Sequence, residues 1–163
     1  MKTLLLTAGL GTRLRPYTET QPKPLIPLIG LPICYYSLYL LKEIGCTDIV
    51  SNLHYFPEKI KDHFSRPELS NFNFSYSHEV NKPLGSGGGI KFAETFLSRE
   101  ENFLVANGDE VMAPKSPQIL GELFEDHQKN KALATLLLTP HPQLLKSLKP
   151  VWVNKEGLVK GFG

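Results

Sequence analysis

The sequence predicts an α/β fold: a doubly wound, mostly parallel sheet with helices on both faces, in three layers. Three observations point there. Strand-like and helix-like segments alternate along almost the whole chain. The strand-like segments are near-continuous apolar runs, as expected of parallel strands covered on both faces. Polar or glycine-rich clusters at 7–13, 85–89 and 107–109 sit at or near strand ends, where open sheets of this Rossmann-like type gather their ligands. A length of 163 residues, 41% hydrophobic and 21% charged, suits one ordinary soluble domain.

The elements follow in order. Lys2–Thr7 is an apolar strand. Pro32–Ile44 has helical apolar spacing, with proline at its first turn and Gly45 as a stop. Thr47–Leu53 reads as a strand and Pro57–Phe64 as a short amphipathic helix. Asn73–Ser77 is a strand of alternating pattern, and Ile90–Leu97 a helix entered through the glycines at 85–89. Asn102–Ala106 is a strand that ends in Asn107-Gly108-Asp109. Ser116–Lys129 is a further helix and Ala132–Leu138 a further buried strand. Val151–Asn154 and Leu158–Phe162 flank Lys155-Glu156-Gly157 as a hairpin. Pro114–Pro117 and Pro140–Pro150 read as surface loops.

Charge narrows the function. The net charge is only +2, which gives no general nucleic-acid-binding surface. Its distribution is uneven: Lys2, Arg13, Arg15 and Lys23 stand against Glu19 alone in the first 24 residues, so the positive charge sits on the first glycine loop. Cys34 and Cys46 lie in or beside an apolar helix without metal-ligand spacing, and read as buried free thiols of a reducing compartment. Histidines 54, 63, 78, 127 and 141 show no ligand spacing either. No apolar run approaches the roughly 20 residues that span a bilayer, and the apolar stretch after Met1-Lys2 is too short for a secretory signal. A cytoplasmic protein is expected.

The richest segment is Leu4–Leu28. A buried strand feeds Thr7-Ala8-Gly9-Leu10-Gly11-Thr12-Arg13, and Lys23 follows between two prolines. Small residues let backbone approach a polyanion while two separately placed cations grip it, so the segment reads as a triphosphate clamp. The alternative is a strand-to-helix turn with solvent-facing cations. A dinucleotide fingerprint would need glycine or alanine where Leu14 stands, and a Walker loop would need Gly-Lys-Ser/Thr where Leu14-Arg15-Pro16 stands. A second glycine cluster, Gly85-Ser86-Gly87-Gly88-Gly89, exposes backbone N–H groups suited to a base edge or an anion. Glu79 before it could accept two N–H bonds from a guanine edge, or be a solvated carboxylate. Asp109 at a strand's carboxyl end suits a Mg²⁺ ligand, or a turn or helix-cap aspartate.

Leu6–Pro16 (LTAGLGTRLRP), with Pro22-Lys23-Pro24-Leu25 behind it, resembles the signature of the sugar-1-phosphate nucleotidyltransferases, and the likeness runs in order along essentially the whole chain. Pro83–Gly89 is similar to that family's base-reading loop, with Ser86 where threonine is usual. The resemblance implies the nucleotide-diphospho-sugar transferase type of fold, and substrates that are an NTP and a sugar 1-phosphate. It gives Arg13 the pyrophosphate leaving group and Lys23 the bridge between sugar phosphate and α-phosphate, as catalytic residues. Leu6, Ala8, Gly9, Gly11, Thr12 and Arg13 would wrap the nucleotide, Gly85 and Ser86 would meet the base with Glu79, and Asp109 would hold Mg²⁺. GTP is favoured because the Glu79 carboxylate can accept two N–H bonds from a guanine edge where uracil offers a single ring N–H, and the chain resembles most the members acting on mannose or heptose 1-phosphate. The alternatives are a uridylyltransferase acting on an amino-sugar 1-phosphate and a non-catalytic nucleotide-binding relative. Family members normally continue past Gly163 with most sugar contacts and a second metal-binding aspartate. Residues 1–163 are therefore expected to be a single nucleotidyltransferase domain truncated on its C-terminal side, with homo-oligomerisation left open.

Overall fold

The first strand, β1 (Thr3–Leu6), lies at the centre of the sheet, with Leu4 and Leu5 fully buried on its two faces. The computed structural model describes residues 1–116, 118–139 and 150–163. A minimal hairpin, β2 (Pro27–Leu28) and β3 (Leu31–Pro32), precedes α1 (Cys34–Glu43). Then come β4 (Asp48–Leu53), α2 (Pro57–Phe64), β5 (Asn73–His78), α3 (Gly85–Phe92), α4 (Glu94–Leu97) and β6 (Leu104–Asn107). The four long strands pair in the order β5-β4-β1-β6, every pair parallel, as the apolar runs predict.

Alternate residues feed two core layers. Leu5, Ile49, Leu53 and Ala106 pack with Leu38 and Leu41 of α1 and Ile60 and Phe64 of α2. Leu4 and Val50 pack on the other face against Ala93 and Leu97, beside and within α4. Helix α1 stops at Gly45 (φ +72°), where the Gly45 and Cys46 amides donate to the carbonyls of Lys42 and Leu41 at 2.9 Å each. Both cysteines are buried and unpaired, and burial pushes the Cys34 thiol up to about 12.

Residues Met1–Leu120 form one compact unit and Gly121–Gly163 a second. Helix α5 (Ile119–Asn130) begins in the first, where Leu120 is buried in the core. In the second unit β7 (Val151–Val153) and β8 (Val159–Phe162) pair antiparallel as the expected hairpin. Three expectations need correction. Ala132–Leu138 is not a buried strand: no described strand completes its backbone hydrogen bonds, and Leu133, Leu136, Leu137 and Leu138 are exposed. The glycines at 85–89 do not precede the third helix but form its first turns, and that helix ends at Phe92 before α4 begins. Helix α5 starts later than Ser116, because the Ser116 carbonyl and hydroxyl accept from the Ile119 and Gln118 amides in a turn. Most of the loop expected at Pro140–Pro150 lies outside the described residues. Among the described residues no helix is long and apolar enough to cross a membrane.

His63 of α2 is buried beside Tyr35, and its Nε2 has no hydrogen-bond partner. Burial first, then the charge of Arg66, lowers its pKa below the usual 6.5, with Glu68 opposing. The native state therefore keeps the neutral ring while the unfolded chain takes up a proton, so this stability is intact above pH 6.5 and lost as pH falls from 6.5 through the folded value. His63→Leu should flatten the loss of urea stability between about pH 7.5 and 5.5; an equal loss in variant and wild type would refute the assignment.

Candidate functional site

Strand order reverses between β1 and β6, and a parallel sheet opens a crevice at the carboxyl ends of its strands at such a point. A cleft of about 170 Å³ lies there. Leu6, Thr7, Ala8 and Gly9 enter it from the end of β1, and Asn107 and Asp109 from the end of β6. Asn52 comes from β4, Glu79 from just past β5, Pro83 from the loop before α3, and Gly85 and Ser86 from the first turn of α3. Lys23 and Pro24 close the remaining side.

The floor is a network of hydrogen bonds. Asn52 Oδ1 accepts from the backbone amides of Thr7 at 2.7 Å and Ala8 at 3.3 Å, and Asn52 Nδ2 donates to Glu79 Oε1 at 2.8 Å. The Thr7 hydroxyl meets Ser51 Oγ at 2.8 Å and donates to the Asn52 carbonyl. Glu79 Oε2 accepts from the Leu84 amide at 2.7 Å, and the Glu79 carbonyl meets His54 Nδ1 at 2.6 Å. On the opposite wall Ser37 Oγ donates to the Asn107 carbonyl at 2.8 Å, tying α1 to the end of β6.

Lys23 Nζ and Asp109 Oδ2 are 2.8 Å apart, both partly exposed. The cation expected to grip phosphate and the carboxylate expected to hold a metal thus neutralise each other. Among the described residues no group of three or more His, Cys, Asp or Glu could enclose a metal ion.

Of the residues singled out from sequence, Leu6, Ala8, Gly9, Lys23, Glu79, Gly85, Ser86 and Asp109 line the cleft, whereas Gly11, Thr12 and Arg13 do not. Arg13 lies on a single 3-10 turn, Thr12–Leu14, and is exposed. That turn is anchored beneath: Thr18 Oγ1 donates to the Gly11 carbonyl at 2.9 Å, and Tyr55 Oη to the Thr18 carbonyl at 2.8 Å. Glu79 departs from one of the two expectations for it. It is only 2% exposed, so it is not a solvated carboxylate. Each of its oxygens accepts one bond from the protein, which leaves a lone pair on each. Asn52 was not anticipated. Its signal is a polar side chain next to Ser51 near the end of a strand buried from Ile49 to Leu53, which requires internal hydrogen bonds.

The arrangement suits a flat ligand bearing anionic groups. The backbone at 6–9, Lys23 and the glycine-rich start of α3 line the cleft together, and the Asp109 carboxylate lies beside the cation. Gly108 makes the approach of Asp109 to β1 feasible, since a Cβ there would lie 2.8 Å from Thr7 Cγ2 and 3.0 Å from the Leu6 carbonyl oxygen. Gly108→Ala should cost about 1–3 kcal/mol of stability through that overpacking, read from urea unfolding; an unchanged midpoint would contradict it.

The profile of the Nucleotidyl transferase family matches residues 2–145. A mannose-1-phosphate guanyltransferase of Yarrowia lipolytica is 36% identical over 162 residues, covering 98% of this chain and 43% of its own length. A UTP–glucose-1-phosphate uridylyltransferase of Synechocystis is 33% identical over 165 residues, covering 96% of this chain and 42% of its own. The chain therefore spans less than half the length of either relative. Among solved structures, HddC from Yersinia pseudotuberculosis complexed with GMP-PN superimposes with a TM-score of 0.76 at 23% identity, over 99% of this chain and 68% of that one, a likeness of fold.

Proposed function

Because the chain belongs to the Nucleotidyl transferase family, we propose that its cleft binds a nucleoside triphosphate and a sugar 1-phosphate, and that the whole enzyme joins them into a nucleotide sugar with release of pyrophosphate. The observation that supports this most directly is the meeting, in one cleft at the switch point, of the backbone at 6–9, Lys23, the turn at 85–86 and Asp109. In this reading residues 1–163 are the nucleotide-binding part of one nucleotidyltransferase domain, and a cytoplasmic setting accords with two buried free thiols.

The chemistry needs little from the protein beyond position and charge. An oxygen of the sugar phosphate attacks the α-phosphorus, a P–O bond forms in line with the one that breaks, and pyrophosphate leaves with its electron pair. The nucleophile is already ionised, so no general base is required. Leu6, Ala8 and Gly9 lie along base and ribose, while Lys23 swings from Asp109 to bridge the sugar phosphate and the α-phosphate. Arg13 and its neighbours Gly11 and Thr12 close over the leaving pyrophosphate from outside the cleft lining. A lone carboxylate fits Mg²⁺ that arrives with the triphosphate, since that ion is usually held by one or two carboxylates together with substrate phosphates and water. Asp109 would hold it, and when bound it supplies charge neutralisation at the phosphates. Gly85 and Ser86 meet the base edge, and GTP is the favoured nucleotide, in keeping with the guanyltransferase relative.

A thermal-shift panel of GTP, UTP, dTTP, CTP and ATP with Mg²⁺ tests this. GTP should stabilise most; a larger shift with UTP would transfer the assignment to the uridylyl side, and no shift with any nucleotide would defeat it. In the whole enzyme Arg13→Ala should lower kcat by about 10²–10³, as the loss of other charge-stabilising donors does. Arg13→Lys should be nearly as harmful, because the planar fork is lost. Wild-type turnover by both in a pyrophosphate-exchange assay would remove Arg13 from the mechanism.

A further inference from the structure

One side chain touches both halves of the cleft floor. Asn52 is 3% exposed, and its amide cannot be turned over. The Thr7 and Ala8 N–H groups require an acceptor and find Oδ1, while a Glu79 oxygen requires a donor and finds Nδ2. Glu79 in turn spends its second oxygen on the Leu84 amide, at the entry to the glycine turn. The path from the backbone at 7–8 to the backbone at 84 thus runs through two buried side chains with every bond oriented. The helix that follows makes room for it. A Cβ on Gly89 would come within 2.9 Å of both Asn52 Nδ2 and Glu79 Oε1. That position therefore closes over the pair only as glycine.

We propose that Asn52 and Glu79 are a positioning pair that fixes the turn at Leu84–Ser86 at a set distance from the backbone at 7–8, so that the wall along base and ribose and the turn that meets the base edge form one rigid frame. The role rests on the nucleotide-binding reading above and extends it: Glu79 serves base selection by holding the loop that meets the base. A nucleotide spans both loops, so loosening the joint costs affinity for every nucleotide. It also blunts discrimination between bases, because the turn is no longer held to one distance.

The bond pattern supplies its own test. Asn52→Asp sets two acceptor oxygens against each other at the present 2.8 Å contact, and Glu79→Gln sets a second amide donor against either Asn52 Nδ2 or the Leu84 N–H. The double change N52D/E79Q reverses the central hydrogen bond. The carboxylate now at position 52 accepts from the Thr7 and Ala8 amides and from the side-chain amide now at position 79. The oxygen of that same amide accepts from the Leu84 N–H, and shape and net charge are unaltered. Affinities for GTP and UTP with Mg²⁺, measured by calorimetry on the full chain, should fall about tenfold or more in each single variant. The ratio between the two nucleotides should shrink toward one, and both quantities should return to within about threefold of wild type in the double variant. A purely structural role would weaken both nucleotides in proportion and leave their ratio alone. Single variants that bind and discriminate like wild type, or a double variant no better than the worse single, would overturn the proposal. Failure of the wild-type chain to bind either nucleotide would instead overturn the functional reading. Amide exchange at Leu84, faster in N52D and restored in N52D/E79Q, then supports the coupling, and unchanged exchange defeats it.

Discussion

Everything that positions the cleft depends on β1 being hydrogen-bonded along both edges and buried on both faces. Its pairing with β4 and β6 in parallel brings three carboxyl ends level: Leu6 stands beside Asn52 on one side and Asn107 on the other. The strand then has to leave the sheet at once. Its next amides, at Thr7 and Ala8, are buried and would be unsatisfied if β4 did not offer the Asn52 side chain to receive them. The loop of the site is thus shaped by the sheet's need to end cleanly. The cations it carries are attached to a backbone that is already fixed at one end.

The cleft has a stiff side and an adjustable side. Toward β4 and β5, buried partners at 2.7–2.8 Å hold Thr7, Glu79 and Leu84. Toward β6 there is an ion pair in partial contact with water, which is worth little in such surroundings and can be exchanged at low cost. A ligand that brings both negative phosphate and a cation can satisfy Lys23 and Asp109 separately. A bare polyanion satisfies Lys23 but leaves Asp109 facing like charge. In the reading proposed above, discrimination in favour of a metal-charged nucleotide would be a matter of simple charge matching. Arg13 lies beyond this arrangement on an exposed turn.

Much of the architecture was legible in the sequence because it follows from periodicity and punctuation. Lys2–Thr7 and Thr47–Leu53 read as strands, Gly45 ends its helix, and Lys155–Gly157 turns a hairpin. Ala132–Leu138 was misread because its apolar run is consistent with burial, and burial of backbone needs a neighbouring strand that a local pattern cannot supply. Within the cleft, eight of the residues singled out beforehand line one cavity, since motif spacing at strand ends translates directly into position. The links between them were not visible. That Glu79 would be buried and hydrogen-bonded depends on Asn52, which lies on a different strand 27 positions away. The pairing of Lys23 with Asp109 crosses 86 positions and likewise has no local trace.

The close packing of Gly89 over Asn52 and Glu79 has a consequence for how such a site can change over evolutionary time or under redesign. Three positions, on β4, on α3 and just past β5, share one small volume, and each is compatible with the other two in very few chemical combinations. In the reading proposed above, a drift in base preference that required a new residue at any one of them would pass through intermediates with a crowded or donor-less joint. Variation is therefore channelled to the rim, where Pro83 and Ser86 line the same cleft without belonging to that joint. A designer seeking a different nucleotide would do best to keep the three together as a fixed insert and alter the residues around them.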